Sequence, residues 1–288
     1  MLLSLELIYY GDCKEMIQFY LNIFENADAE IRLYEEMPFA EVLGIEGCGR
    51  AMVWRASLTI QNGNYAVRFK LSDSILTARQ ENVTSKEQAY HPLICIEHPD
   101  EQQMYELLEK IYCGAYSFED IQKGIYSDKY GIRWIFKKSE RLRIYHCLEF
   151  KGNCSEIMRY IGDAYRVPVI EVVKYKDSPY KDMDSLAAKD KIYSALMEFQ
   201  NKNYHYAVKF GDSADSAIHN YSGYGKEDKL WFQIIIVVQE TDETYLKQAF
   251  ERLSVGAVLN RRISPNEDGI LYGSMIDRYG IVWELYGN

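Results

Sequence analysis

The sequence predicts an α+β protein in which one plan, a strand followed by a helix and three strands, is used repeatedly. The first observation is a motif, Asp-x-Tyr-Gly-Ile-x-Trp, which occurs at Asp128–Trp134 and again at Asp277–Trp283. The second is an echo near each start, where Gly11-Asp12-Cys13 is matched by Gly152-Asn153-Cys154. Self-similarity of this kind predicts two diverged copies, residues 1–138 and 143–288, each of ordinary domain size.

In the first copy, the strand-like segment Leu5–Tyr10 passes through Gly11-Asp12, a turn that can cap a helix. Apolar residues then recur at helical spacing over Lys14–Phe24. Asn62-Gly63 lies between two strand-like segments and predicts a hairpin. The other predicted elements are strands at 29–35, 51–60, 65–71 and 91–96, a helix at 100–112, and short strands near 115–118, 124–127 and 132–137.

The second copy repeats this order after a short charged linker at 138–143, so we expect the two copies to pack on each other. Its predicted strands lie near 144–150, 169–175, 192–199, 204–210, 231–238, 257–260, 270–274 and 281–286, and its helices at 155–165 and 242–253.

The composition excludes several classes of protein. The chain is 48% hydrophobic, with no apolar segment long enough to span a bilayer, and its N-terminus lacks the basic region of a secretion signal. Its net charge of −10, from 33 basic and 43 acidic residues, argues against nucleic acid or a membrane surface as partner. Six scattered cysteines without a C-x-x-C pair indicate reduced thiols and a cytoplasmic location. No glycine-rich loop suits a nucleotide cofactor.

With its two motifs, this repeated plan resembles the vicinal oxygen chelate superfamily, which includes glyoxalases, bleomycin-resistance proteins and extradiol dioxygenases. The opening Gly-x-Cys-x-Glu and the closing motif are most similar to the branch labelled 3-demethylubiquinone methyltransferase-like. The resemblance covers nearly the whole chain, once per copy. It implies tandem glyoxalase-like domains, each of two modules whose curved mixed sheets enclose a cavity.

In metal-using members, the resemblance implies four side chains that face this cavity. In the second copy, the corresponding residues are His146, Glu198, Gln233 and Glu284. Such a set offers nitrogen and oxygen donors suited to one divalent ion, Zn, Ni, Mn or Fe. Glu198 or Glu284 would also be able to shuttle a proton as a catalytic group. The same positions in the first copy hold Leu5, Thr59, His91 and Ile135, so its site is expected to be degenerate.

A second pairing of modules stays open, because some members exchange modules between domains. His91 would then take the place of Gln233 and Glu284 beside His146 and Glu198. Both pairings predict that His146 and Glu198 share one cavity.

Each candidate also has a structural explanation. His146 would be a strand histidine with a backbone partner. Glu198 and Glu284 would lie on solvent-exposed strand faces. Gln233 would be a hydrogen-bonded residue of an apolar strand. His91, before Pro92, would be a strand-edge residue. The 25 tyrosines, several of them in Tyr204–Tyr206 and Tyr221–Tyr224, either pack sheet edges or line an aromatic cavity.

Two function hypotheses follow. In the first, the protein binds a small oxygenated metabolite and acts as a divalent-metal-dependent lyase, isomerase or dioxygenase. In the second, it is a metal-free protein that binds or sequesters a small molecule without catalysis. Because two copies in one chain can supply the pairing that other proteins obtain by dimerising, we expect a monomer or a weak homodimer.

Overall fold

The computed structural model describes residues 1–37, 39–75, 92–112, 117–120, 124–179, 189–212, 234–267 and 269–287. Its contacts divide the chain into two compact units. The N-terminal unit contains Ser4–Pro92 and Ile96–Ile144, and the C-terminal unit contains Met1–Leu3, Leu93–Cys95 and Tyr145–Asn288.

The strands that belong wholly or in part to the N-terminal unit form two sets. In the first set β1 pairs in parallel with β4, β4 pairs antiparallel with β3, and β3 with β2. In the second, β8 lies between β5 and β7, and β7 pairs with β6. The elements are β1 (Leu2–Tyr9), α1 (Cys13–Ile23), β2 (Ala27–Leu33), β3 (Val53–Asn62), β4 (Tyr65–Asp73), β5 (Leu93–His98), α2 (Glu101–Tyr112), β6 (Ser117–Asp120), β7 (Ile125–Ser127) and β8 (Arg133–Lys138), with 3-10 turns at Tyr34–Glu36 and Gly47–Ala51.

The C-terminal unit has the same order of elements. β9 pairs in parallel with β12, which continues antiparallel through β11 to β10. β13 pairs in parallel with β16, which continues through β15 to β14. The elements are β9 (Arg143–Phe150), α3 (Cys154–Tyr165), β10 (Val169–Lys174), β11 (Ile192–Gln200), β12 (His205–Asp212), β13 (Ile235–Glu240), α4 (Glu243–Leu253), β14 (Val258–Pro265), β15 (Leu271–Ile276) and β16 (Val282–Gly287), with a 3-10 turn at Tyr175–Asp177.

The predicted α+β class is confirmed, and the local patterns explain the elements. Met16, Ile17 and Tyr20 form the buried face of α1, as the helical spacing predicts. The predicted hairpin joins β3 to β4, and Gly63 adopts the positive φ of +64° that such a tight turn favours. Within the described residues, no helix is long and apolar enough to cross a membrane.

The repeated closing motif is a buried turn built on its aspartate. In the N-terminal unit, one carboxylate oxygen of Asp128 accepts hydrogen bonds from the backbone N–H groups of Tyr130 and Ile132. The other oxygen accepts from Trp134 Nε1 at 2.7 Å and from the Tyr20 hydroxyl. Burial raises the pKa of the Asp128 carboxyl, which these donors partly offset.

The C-terminal unit builds the same turn. Asp277 accepts from the N–H groups of Tyr279 and Ile281, and from Trp283 Nε1 at 2.8 Å. The motif therefore has a structural role in both units, because its aspartate accepts the hydrogen bonds of the turn and its tryptophan donates one of them. In the same turns, the hydroxyls of Tyr130 and Tyr279 donate to glutamates at the start of α1 and α3.

A second aspartate, which the sequence patterns did not single out, anchors each helix start. Asp73 at the end of β4 accepts from the N–H groups of Gly11, Cys13 and Val53. Its own carbonyl accepts the Tyr34 hydroxyl. In the C-terminal unit, Asp212 at the end of β12 accepts from Cys154 and Ile192.

The Asp212 carbonyl accepts the Tyr175 hydroxyl at 2.7 Å. The repeated Gly-x-Cys start and the repeated tyrosines thus bond to one aspartate per unit, the helix start to its carboxylate and the tyrosine to its backbone carbonyl. A negative charge at a helix N-terminus is stabilising, which explains the duplicated arrangement.

Candidate functional site

Asp212 identifies the strand face of the C-terminal unit that points toward helix α3. Because its carboxylate reaches the first residue of α3, Phe210 and Val208, two and four residues earlier on β12, point the same way. Met197 lies opposite Val208. The ring of Phe199, on the same face of β11 as Met197, packs edge-on against Tyr165 of α3 with centroids 6.0 Å apart.

His146 belongs to this helix-facing side. Its register partner on β12 is Val208, and residues paired across strands point to the same face. The side chain is only 2% exposed. His146 is therefore a histidine of the layer between strands and helix, at the position that Leu5 takes in the N-terminal unit.

Glu198 points to the other face. It pairs with Ala207 and follows Met197 by one residue, so its side chain leaves the strand on the side away from α3. His146 and Glu198, which were expected to share one cavity, thus lie on opposite faces of these paired strands. The two side chains would share a face only if the register of one strand shifted by one residue, because such a shift moves every side chain of the strand to the opposite face.

Two other predicted ligands, Gln233 and His91, lie outside the described residues. Across the described part of the chain, no three or more His, Cys, Asp or Glu side chains are grouped as metal ligands. Among the described residues, His146, Glu198 and Glu284 are thus not grouped as one set of metal ligands.

Glu284 lies within a polar cluster on β15 and β16, on the face away from the helices. Its neighbour Trp283 packs against Tyr165 of α3, so Glu284 points the opposite way. One carboxylate oxygen accepts the Tyr272 hydroxyl at 3.3 Å, and the other accepts the Tyr286 hydroxyl at 3.0 Å. The Tyr272 and Tyr286 rings are paired across the strands with centroids 4.6 Å apart.

Arg261 extends this cluster from strand β14. Its guanidinium lies over the Tyr272 ring, 5.3 Å from the centroid, in a cation–π contact. Burial, followed by the nearby charge of Glu284, raises the pKa of Tyr272, so its hydroxyl stays protonated and donates at neutral pH. We call Arg261, Tyr272, Tyr286 and Glu284 the tyrosine–glutamate cluster. Only Glu284 was found from the sequence, because the other three have no counterpart in the ligand pattern.

A separate cleft of about 440 Å³ opens beside Glu198, within the C-terminal unit. Its lining combines two half-buried carboxylates, Glu198 and Glu240, with apolar residues next to Tyr245 of α4. Of the tyrosine-rich loops, Tyr204–Tyr206 is described, and its two tyrosine rings meet edge-on 6.4 Å apart. Tyr221–Tyr224 lies outside the described residues.

Comparison with known proteins identifies the fold. No family model matches the sequence, and no curated protein matches it. Among solved structures, glyoxalase I from Zea mays aligns with 99% of this chain and 92% of its own, at 13% identity and a TM-score of 0.53. A single-residue variant of that protein covers 99% and 94%, at 13% identity and a TM-score of 0.55.

The PhnB protein from Bacillus cereus covers 49% of this chain and 96% of its own, at 15% identity and a TM-score of 0.34. That likeness is too weak to assign a branch, so the branch stays a prediction. The full-length likeness to glyoxalase I shows the architecture, and it leaves the activity open because one fold hosts many functions. The chain therefore has the glyoxalase-like α+β fold.

Proposed function

We propose that this protein binds a small, planar, oxygenated metabolite at the tyrosine–glutamate cluster and does so without a metal. The observation that carries the proposal is the carboxylate of Glu284, held by two tyrosine hydroxyls on the strand face away from the helices. A carboxylate has about four acceptor positions, so two remain for donors of a ligand.

The chemistry of the cluster defines the ligand. Glu284 would accept a hydrogen bond from a hydroxyl or N–H of the ligand, while Arg261 would donate to a neighbouring ligand oxygen, whether of a hydroxyl, a carbonyl or a carboxylate. The paired rings of Tyr272 and Tyr286 supply an aromatic surface with low conformational freedom. A planar compound with adjacent oxygens, such as a catechol, satisfies these requirements.

The metal-dependent alternative rests on residues that the described structure does not bring together. His146 faces the helix layer and Glu198 the opposite side, so a centre using both would need a different register. Binding or sequestration is the function that the described geometry supports best.

Catechol binding to the full chain tests the proposal, measured by calorimetric titration. A Glu284→Gln variant keeps the shape of the side chain but removes its charge, and should weaken catechol binding about tenfold. Glu156→Gln is the matched control, since Glu156 also accepts a tyrosine hydroxyl, at 2.8 Å, but lies on α3. It should change the affinity less than about twofold.

Two results would contradict the proposal. One is an equal loss of affinity in both variants. The other is the absence of saturable catechol binding to the metal-free chain, whether or not added Zn²⁺, Ni²⁺, Mn²⁺ or Fe²⁺ restores it.

A further inference from the structure

A second groove, of about 360 Å³, lies between the helices of the C-terminal unit. Helix α3, the end of α4 and the turn of the closing motif form its lining. Its charged residues are three arginines, one from each of these elements, and two carboxylates of α3: Arg159, Arg252, Arg278, Glu156 and Asp163. Within the described part of the chain, none of the three arginines forms a salt bridge. The groove is therefore lined by guanidinium groups whose charges are not paired.

Aromatic rings hold Arg278 in place at this groove. Its guanidinium lies 4.8 Å from the centroid of the Tyr160 ring and 5.0 Å from that of the Tyr279 ring. Both rings are fixed in turn, because the Tyr160 hydroxyl donates to the Leu253 carbonyl at the end of α4 and the Tyr279 hydroxyl donates to Glu156. A guanidinium has five N–H donors, so its cation–π contacts leave donors for the oxygens of a ligand.

Arg252 and Arg159 add donors from the two helices. Arg252 donates through Nη1 to the Ala164 carbonyl at 2.9 Å and through Nη2 to a glutamine of its own helix at 3.1 Å, which leaves it further N–H donors. Arg159 has Glu156 three residues before it and Asp163 four residues after it, spacings that allow helical residues to pair. It forms an ion pair with neither. Its charge is therefore available to a ligand.

The matching positions of the N-terminal unit lack this chemistry. Counting from the repeated motifs, three charged residues of the groove are replaced there: Arg159, Asp163 and Arg278 by Gln18, Asn22 and Lys129. Lys129 forms a salt bridge with Glu15 at 2.9 Å, and Gln18 donates to Asn22 at 3.0 Å. The side chains of the N-terminal unit thus bond to one another, whereas the arginines of the C-terminal unit keep unpaired charges.

We propose that this groove binds the phosphate group of a small molecule. A phosphate offers several acceptor oxygens, so it can accept hydrogen bonds from guanidinium groups of three separate elements at once. The lining keeps a net charge of +1, because Glu156 and Asp163 offset two of the three arginines. These carboxylates repel an anion, so we expect a modest affinity. The site is independent of the tyrosine–glutamate cluster, which lies on the strand face away from the helices.

Calorimetric titration of the full chain with inorganic phosphate and with phenyl phosphate, at constant ionic strength, tests this site. We expect saturable binding with a Kd of about 1 mM for the better ligand. Arg159→Gln introduces the residue of the N-terminal unit, so the variant should fold, and it should weaken binding about tenfold. Arg278→Lys should weaken binding about fivefold, because a lysine there can pair with Glu156 as Lys129 pairs with Glu15. Lys129→Gln is the matched control and should change the Kd less than about twofold.

The arms of the experiment separate the outcomes. Asp163→Asn removes a repulsive charge and should tighten binding about threefold. Tighter binding of phenyl phosphate identifies a phosphate ester as the ligand, and tighter binding of inorganic phosphate identifies the free ion; both support the site.

Three results would overturn the site. They are the absence of saturation, an unchanged Kd in Arg159→Gln, and equal weakening by Arg159→Gln and Lys129→Gln, which would mean attraction by overall charge. Glu284→Gln should leave phosphate binding intact, so this proposal and the catechol proposal can fail separately.

Discussion

The two units build the same buried turn, but the hydrogen-bond donors to its aspartate differ between them. In the N-terminal unit, Tyr20 of α1 donates to Asp128. The matching position of α3 is Ile161, and no tyrosine of α3 donates to Asp277 among the described hydrogen bonds. One helical turn later the exchange is reversed, because the C-terminal unit has Tyr165 where the N-terminal unit has Phe24.

The reversed pair has an energetic consequence. The Tyr165 ring is buried against Trp283, as that of Phe24 is against Trp134. The Tyr165 hydroxyl, however, is buried without a hydrogen-bond partner in the described structure. In both units the repeated motifs hold helices and turns in place, while residues between the motifs have diverged.

Removing the aspartate of either turn should have the largest effect. Asp128→Ala leaves two backbone N–H groups, an indole N–H and a tyrosine hydroxyl without their acceptor, so we expect a loss of about 4 kcal/mol. Asp277→Ala leaves one donor fewer without an acceptor. Its loss of stability should therefore be about 1 kcal/mol smaller. Urea unfolding followed by tryptophan fluorescence measures both. Equal losses would show that the Tyr20 hydrogen bond adds nothing.

Removing one tyrosine hydroxyl from each unit should destabilise the protein in the N-terminal unit but not in the C-terminal unit. Tyr20→Phe breaks a hydrogen bond to a buried carboxylate and should destabilise the protein by about 2 kcal/mol. Tyr165→Phe removes an unsatisfied buried hydroxyl and should be neutral or stabilise it by about 1 kcal/mol. Thermal unfolding compares the two variants directly. Destabilisation by Tyr165→Phe would indicate that this hydroxyl has a partner.

Cys13 and Cys154, which occupy matching positions in the two units, should show the same low reactivity. Burial, followed by the charge of Asp73, raises the pKa of the Cys13 thiol, and burial with Asp212 does the same for Cys154. Because only the thiolate reacts, both should resist iodoacetamide at pH 8 while the protein is folded. Peptide-resolved mass spectrometry measures the labelling, and denaturant provides the positive control. Fast labelling of one cysteine alone would show that its unit opens more readily.

Much of the fold followed from the sequence because it depends on local pattern. The spacing of Met16, Ile17 and Tyr20 gave helix α1 to within one residue at each end, and Asn62-Gly63 gave the β3–β4 hairpin. The roles of Asp73 and Asp212 were missed, although both end a strand and recur with the tyrosines that contact them. Their partners are distant in the chain, and periodicity does not report such contacts.

The candidate site was predicted less well, for a physical reason. The family resemblance placed His146 at a cavity-facing position, but Tyr145, His146 and Cys147 are all buried, so alternation does not distinguish the two faces of β9. Only the pairing with Val208 decides it. Glu284 was identified, yet the residues around it come from β14 and β15 and follow from the tertiary structure alone.

The orientation of His146 is the central claim, and metal binding by a His146→Leu variant tests it most directly. Leucine is the residue at the matching position, Leu5, so the variant should fold. Parent and variant would be incubated with Zn²⁺, Ni²⁺, Mn²⁺ or Fe²⁺, dialysed, and measured by plasma mass spectrometry. The account predicts the same metal content in both proteins. One equivalent of metal in the parent that is lost in His146→Leu would contradict it, because His146 would then be a ligand.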